Sequence, residues 1–316
     1  MLSPLLIVLP IFGLIFAGWL VRRLGVLGPH ATTELNRFVI YLALPALLFD
    51  VIAHARLADV WQPGFVAAFG LSAAAMFLLT LWLPLLRPRH FVDAVIDGLN
   101  AGYANVGFVG FPLTLVALGR AALAPTLIAT IITVCVLFGI AVVLIEIGLQ
   151  TEKRRRHLVA KVGGSLLRNP LLVAPVLGAL VPVCGLAVPA PVESFLKLLG
   201  GAASPCALVA LGLFLAAERP AARDAASRRD FGVSALLVGF KLVLQPVVAW
   251  VLAALVFQLP PLLTHAAVLL AALPTGTGPF MLAEFYRREA GVTGRVVLGS
   301  TVVSVVTITG YLGVAG

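Results

Sequence analysis

Two short runs place polar and helix-breaking residues inside otherwise apolar sequence. The first reads Asn100-Ala-Gly-Tyr-Ala-Asn-Val-Gly-Phe-Val-Gly-Phe-Pro112 and the second Ala272-Leu-Pro-Thr-Gly-Thr-Gly-Pro-Phe-Met281. Proline removes a backbone donor and clashes with the preceding turn, while glycine tolerates the unwound backbone that results. A helix interrupted in this way presents free N–H groups and partial positive charge where its second half begins, which suits an anion. The candidate binding residues are therefore Asn105, Gly107, Gly110 and Pro112 in the first run, with Pro274, Thr275, Gly276 and Thr277 in the second. The Asn105 amide can hydrogen-bond a carboxylate or satisfy freed backbone. Thr275 and Thr277 can meet a ligand or bond their own helix backbone. A plainer reading makes both runs proline kinks used for packing.

A third candidate is Lys241, with Gln245 one turn on and Pro246 beside it. Lys241 lies about nine residues into its apolar segment, roughly 13 Å along a helix axis. A cation at that depth is costly and points to function: attraction of a substrate carboxylate, or a part in proton coupling. Its long stem also allows snorkelling to the membrane edge. None of this is catalytic chemistry. The chain has no H-E-x-x-H, G-x-S-x-G or Walker pattern. Cys135, Cys184 and Cys206 lie far apart, without metal-ligand or disulfide spacing. No metal or cofactor is implied. The two breaks hold no Asp or Glu, the strongest ligands for sodium, which argues against sodium coupling.

The elements that must position these residues follow from composition. The 316 residues are 61% hydrophobic and 11% charged, with a mean hydropathy of +1.10. Soluble domains carry roughly a quarter charged residues. Long uncharged runs, such as 1–21, 60–86, 121–145 and 296–316, each supply the ~20 apolar residues that cross a bilayer. Such segments must be helical, because hydrocarbon offers the backbone no other partner. The first lacks the basic start and cleavage site of a signal peptide, so it reads as a retained helix.

Turn residues and charge clusters delimit ten spans near 4–21, 33–53, 62–86, 94–117, 121–148, 165–183, 193–216, 232–257, 263–285 and 293–314. Basic residues gather in alternate connectors: Arg22 and Arg23, Arg87 and Arg89, Lys153 to Arg156 with Lys161, Arg219 to Arg229, and Arg287 to Arg295. The intervening connectors carry Arg56 and Arg120, with Lys197 at a helix lip. This asymmetry puts the basic connectors in the cytoplasm and both termini outside. It also accounts for the net charge of +9 without nucleic acid.

A polar basic link at 150–162 divides the chain into halves 1–149 and 163–316. Pro10-Ile-Phe-Gly13 matches Pro175-Val-Leu-Gly178, Pro45 pairs with Pro205, and Pro112 with Pro279, at offsets of 165, 160 and 167 residues. Five spans per half is an odd number, so the halves would lie in opposite senses, as in many secondary transporters. Coincidence in a proline-rich chain is the competing explanation. Among the remaining polar residues, Asp50, Glu146 and Glu284 near helix ends read as interfacial. Ser300, Ser304 and Thr307 read as a packing stripe, and Tyr103 as packing beside the break.

These segments together resemble the auxin efflux carrier family of permeases, whose bacterial members include malonate and malate carriers. The resemblance rests on Pro10-Ile-Phe-Gly13, residues 36–50 with Pro45, and Asn105-Val-Gly-Phe-Val-Gly-Phe-Pro112. It rests also on Arg168-Asn-Pro-Leu-Leu-Val-Ala-Pro-Val-Leu-Gly178, and on Ala272-Leu-Pro274 with Ala283-Glu-Phe-Tyr286. It spans the whole chain and implies an all-α integral membrane protein, similar to the bile acid:sodium symporters. Ten transmembrane helices would form two inverted five-helix repeats, with broken helices 4 and 9 crossing at the substrate site. Spans one, two, six and seven would make a scaffold, and the other six a moving core. The short mid-chain link does not imply auxin. The function expected is secondary transport of a small organic anion, a mono- or dicarboxylate, across the cytoplasmic membrane. A ligand-binding membrane sensor and a sodium-coupled symporter of the same fold are the alternatives. Proton coupling and a homodimer are compatible with the residues, and neither is demanded by them.

Overall fold

The computed structural model describes residues 3–54, 61–82, 90–149, 168–217 and 225–315. The regular elements among the described residues are all helices, with a single isolated β-bridge. In chain order the helices are α1 (Ser3–Arg23), α2 (Ala31–Ala53), α3 (Pro63–Trp82), α4 (Phe91–Gly102), α5 (Val106–Leu118) and α6 (Arg120–Gly148). They continue as α7 (Pro170–Val183), α8 (Ala190–Ala217), α9 (Asp230–Val256), α10 (Pro261–Ala271), α11 (Gly278–Phe285) and α12 (Ala290–Ala315). By length and composition, 6 described helices can cross a membrane: α2, α3, α6, α8, α9 and α12. The expected fourth and ninth spans are each divided, into α4 with α5 and α10 with α11. The expected link at 150–162, and the basic residues Arg56, Arg87, Arg89, Lys153 to Arg156, Lys161, Arg219 and Arg223, lie outside the described residues.

Local sequence explains the element boundaries. His90 accepts the Val92 N–H to start α4, and Asn169 accepts the Leu171 N–H ahead of Pro170 to start α7. Both follow the rule that a capping side chain satisfies donors left over at a helix start. Wide π-type turns at Val39–Ala43, Val106–Gly110 and Phe240–Leu244 each end two residues before a proline: Pro45, Pro112 and Pro246. Proline cannot donate to the preceding turn, and the widened turn relieves the clash while keeping the helix continuous. Gly119, at φ 77°, turns α5 directly into α6.

Packing falls into two groups. Helices α1, α2, α7 and α8 lie against one another, most extensively α1 on α8 and α7 on α2. The remaining helices pack around α4, with α3 on α4, α9 on α10 and α12, and α11 on α12. In the first group backbones nearly touch. A Cβ on Gly212 would sit 2.0 Å from the Ile15 carbonyl oxygen, and one on Gly18 would sit 2.2 Å from that of Val209. Without a hydrophobic force between helices in lipid, such close approach is what gains van der Waals contact. Gly212→Val should therefore lower the melting temperature of the detergent-solubilised protein, at an overpacking cost of about 1–3 kcal/mol. An unchanged melting curve would mean that α1 and α8 are not locked together here.

Candidate functional site

The interruption in the first half is three residues long. Helix α4 ends at Gly102, Tyr103 turns extended at φ −87° and ψ 99°, and Asn105 sits outside the helical region at φ −77° and ψ 59° before α5 begins. In the second half α10 ends at Ala271 and the chain runs unwound to Thr277, where α11 begins. Pro274 pushes its predecessor out of the helical region and offers no N–H. Pro279 occupies the first turn of α11, where a missing donor costs nothing.

The two interruptions meet and pair. Ala104 and Thr275 form the antiparallel bridge. The Asn105 N–H donates to the Pro274 carbonyl at 2.9 Å, and the Gly276 N–H donates to the Tyr103 carbonyl at 3.1 Å. The Thr275 hydroxyl donates to the Asn100 carbonyl at 2.8 Å, and its N–H donates to the Ser300 hydroxyl at 3.0 Å. Asn100 in turn donates to Thr293 at 3.0 Å. Each break thus satisfies one donor and one acceptor of the other. A Cβ on Gly276 would lie 2.6 Å from the Tyr103 ring, so only glycine admits this approach.

Beside the crossing lies a cavity of about 170 Å³, small beside the roughly 300–1,000 Å³ usual for ligand pockets. Asn105, Gly107, Thr277, Gly278 and Tyr103 line it from the crossing, and Ser204 with neighbouring glycines lines it from α8. Among the described residues no charged side chain contributes to the wall. Asn105 is 7% exposed, does not cap its helix, and has no side-chain partner among the described residues. The N–H groups of Gly107, Phe108 and Gly278 likewise have no backbone acceptor among them. The starts of α5 and α11 therefore converge on one small space with donors free, and each brings partial positive charge. Where α2 meets α11 the gap is shut: Asn36 donates to the Met281 carbonyl at 3.3 Å, and the Tyr41 and Phe285 rings are 5.8 Å apart. Beyond that contact a second cavity of about 200 Å³ holds Arg37, Glu284 and Arg287.

Not all candidates gather at the cavity. Pro274, Thr275 and Gly276 build the crossing, Gly110 packs toward Leu270 and Leu273, and Pro112 is exposed. Lys241 is fully buried, away from the cavity wall, and donates to the Ala271 carbonyl at 2.5 Å. It reaches a half-helix end rather than the edge of the membrane. Tyr103 and Ser300, read as packing residues, are parts of the site. Asp97, completely buried in α4 one turn before Asn100, was not among the candidates. In the sequence it stands near the start of a span, four residues after Asp93, where a carboxylate resembles an interfacial residue. No cluster of three potential metal ligands occurs among the described residues. Thr275→Val keeps the shape but strips the hydroxyl from the Asn100 carbonyl. It should cost about 1–3 kcal/mol, measured as a lower melting temperature; an equal melting temperature would mean the crossing does not depend on this bond.

Comparison with known proteins fits this geometry. The profile of the family described as "Membrane transport protein" matches residues 5–312. A Rhizobium meliloti (strain 1021) protein described as "Putative malonate transporter" is 30% identical over 307 residues, which cover 97% of this chain and 94% of that one. An "Uncharacterized transporter" of Methanothermobacter thermautotrophicus is 24% identical over 95% of both chains. The Escherichia coli (strain K12) "Uncharacterized transporter YfdV" is 26% identical over 67% of this chain and 68% of its own. Family coverage of nearly the whole length, with an all-helical chain of membrane-length helices, identifies this protein as a membrane transporter of the auxin efflux carrier family.

Proposed function

We propose that this transporter is a secondary carrier for a small organic anion, a mono- or dicarboxylate about the size of malonate. The observation that supports it most is the convergence of two half-helix starts, with the unpartnered Asn105 amide, on one small uncharged cavity. A carboxylate there would receive backbone N–H groups from both halves of the chain and an amide donor from Asn105. The cavity's size favours a substrate of few atoms, and the name of the Rhizobium meliloti relative points to the same chemical class.

In this reading ten spans form two inverted repeats, 1–149 and 163–316, with both termini outside the cytoplasmic membrane. The cavity lies between the two packing groups, so one group sliding against the other would carry the crossing, and a bound anion, between the two sides. The contact of Asn36 with Met281 and of Tyr41 with Phe285 closes one side in the present conformation and would open in the other.

The test is uptake into proteoliposomes of labelled malonate, malate, succinate and an aromatic acid, under a proton gradient, a sodium gradient or neither. One small carboxylate should enter saturably. Asn105→Ala removes a hydrogen bond to a charged group, about 1.5–3 kcal/mol, and should weaken apparent affinity roughly tenfold to a hundredfold while the melting temperature holds. Wild-type uptake of none of the acids, or an Asn105→Ala variant equal to wild type, overturns the reading.

A further inference from the structure

The crossing has a second side. Where α5 and α11 begin, donors are free; where α4 and α10 end, acceptors are. The last carbonyls of a helix have no partner within it and carry about half a unit of negative charge. Both helices end inside the protein, so water does not supply the missing donors. Helix α9 does. Lys241 donates to the carbonyl of Ala271, the last residue of α10, at 2.5 Å. One turn on, Gln245 donates to the carbonyl of Gly102, the last residue of α4, at 3.4 Å. Both side chains are 0% exposed. The widened turn Phe240–Leu244 that carries Lys241 follows from Pro246, so the proline sets the presentation of the ammonium.

Two further buried oxygens, Gln245 Oε1 and Asn100 Oδ1, have no partner among the described residues. Carbonyl and amide oxygens are hard ligands of the kind that suit an alkali cation, and half-helix C-termini are where ion-coupled carriers hold one. In this chain the Lys241 amine is covalently placed at that position. We propose that Lys241 is a resident cation: its ammonium fills the place of a bound alkali ion at the end of α10 and holds the crossing assembled without one. Lys241 is thus a positioning residue, acting on the anion site through the backbone of the crossing. The role in transport rests on the carrier reading above; the cation site itself does not.

The closing experiment has an arm for each. Thermal unfolding of the purified full chain is followed in sodium chloride, choline chloride and methylammonium chloride. The wild type should melt alike in all three. Lys241→Ala, which leaves a void beside the free carbonyls, should melt lower in choline and recover saturably with methylammonium or sodium. Lys241→Met, which fills the volume without a charge, should melt low and gain nothing from either ion. In proteoliposomes, malonate uptake by the wild type should be the same with sodium or choline. Lys241→Ala should lose roughly tenfold in choline and regain activity with methylammonium. A wild type whose melting or uptake requires sodium, or a Lys241→Ala protein that responds to no cation, overturns the proposal. Absent malonate uptake in the wild type counts against the carrier reading alone, because the melting curves still decide whether Lys241 fills a cation site.

Discussion

A backbone N–H or C=O placed at membrane depth must find its partner within the protein, and the architecture of this transporter follows from that constraint. An unsatisfied group in hydrocarbon costs several kcal/mol, so neither α4–α5 nor α10–α11 could be interrupted alone. The two interruptions are stable as a pair because each offers what the other lacks: Asn105 donates to Pro274, and Gly276 donates to Tyr103. Surrounding side chains meet further groups of the crossing. Thr275 reaches Asn100, Ser300 receives Thr275, and Thr293 receives Asn100. The glycines close to the crossing serve the same end, since a side chain at Gly276 would hold the strands apart.

The pairing leaves the crossing chemically lopsided. Helix starts face the cavity between the two packing groups, and helix ends face α9. On the first side donors are left without a backbone acceptor and the lining among the described residues is uncharged, an arrangement that the proposed anion would complete. On the second side Lys241 and Gln245 already occupy the acceptors. Substrate and fixed cation would then act on opposite poles of the same pair of broken helices without touching. In the proposed reading, that separation is how the deeply buried lysine of α9 would matter to anion transport while lying away from the cavity.

Much of this was legible in the sequence because glycine and proline announce broken helices wherever they stand in apolar runs. Apolar helices of membrane length, the two interruptions and an enclosed Lys241 all follow from residue type and spacing. What each interruption touches does not follow, because every partner lies in the other half of the chain or on a distant helix: Ala104 meets Thr275, Thr275 meets Asn100, Lys241 meets Ala271. Sequence logic therefore left Lys241 between attraction of a substrate carboxylate, proton coupling and snorkelling, and could not show that it reaches the Ala271 carbonyl at a helix end. Ser300 read as part of a packing stripe because its position against the Thr275 N–H depends on how α12 lies along the crossing. Asp97 escaped notice for a simpler reason: near the start of a span a carboxylate resembles an interfacial residue, and only the packing of α4 shows it to be completely enclosed.

The most direct test of the central claim is an electron cryomicroscopy map of the transporter saturated with malonate. Ligand density should lie in the cavity beside the crossing, within hydrogen-bond reach of the Asn105 amide and of the N–H groups of Gly107 and Gly278. Density lodged instead beside Arg37 and Arg287 in the second cavity, with the space between the half-helix starts empty, would contradict it.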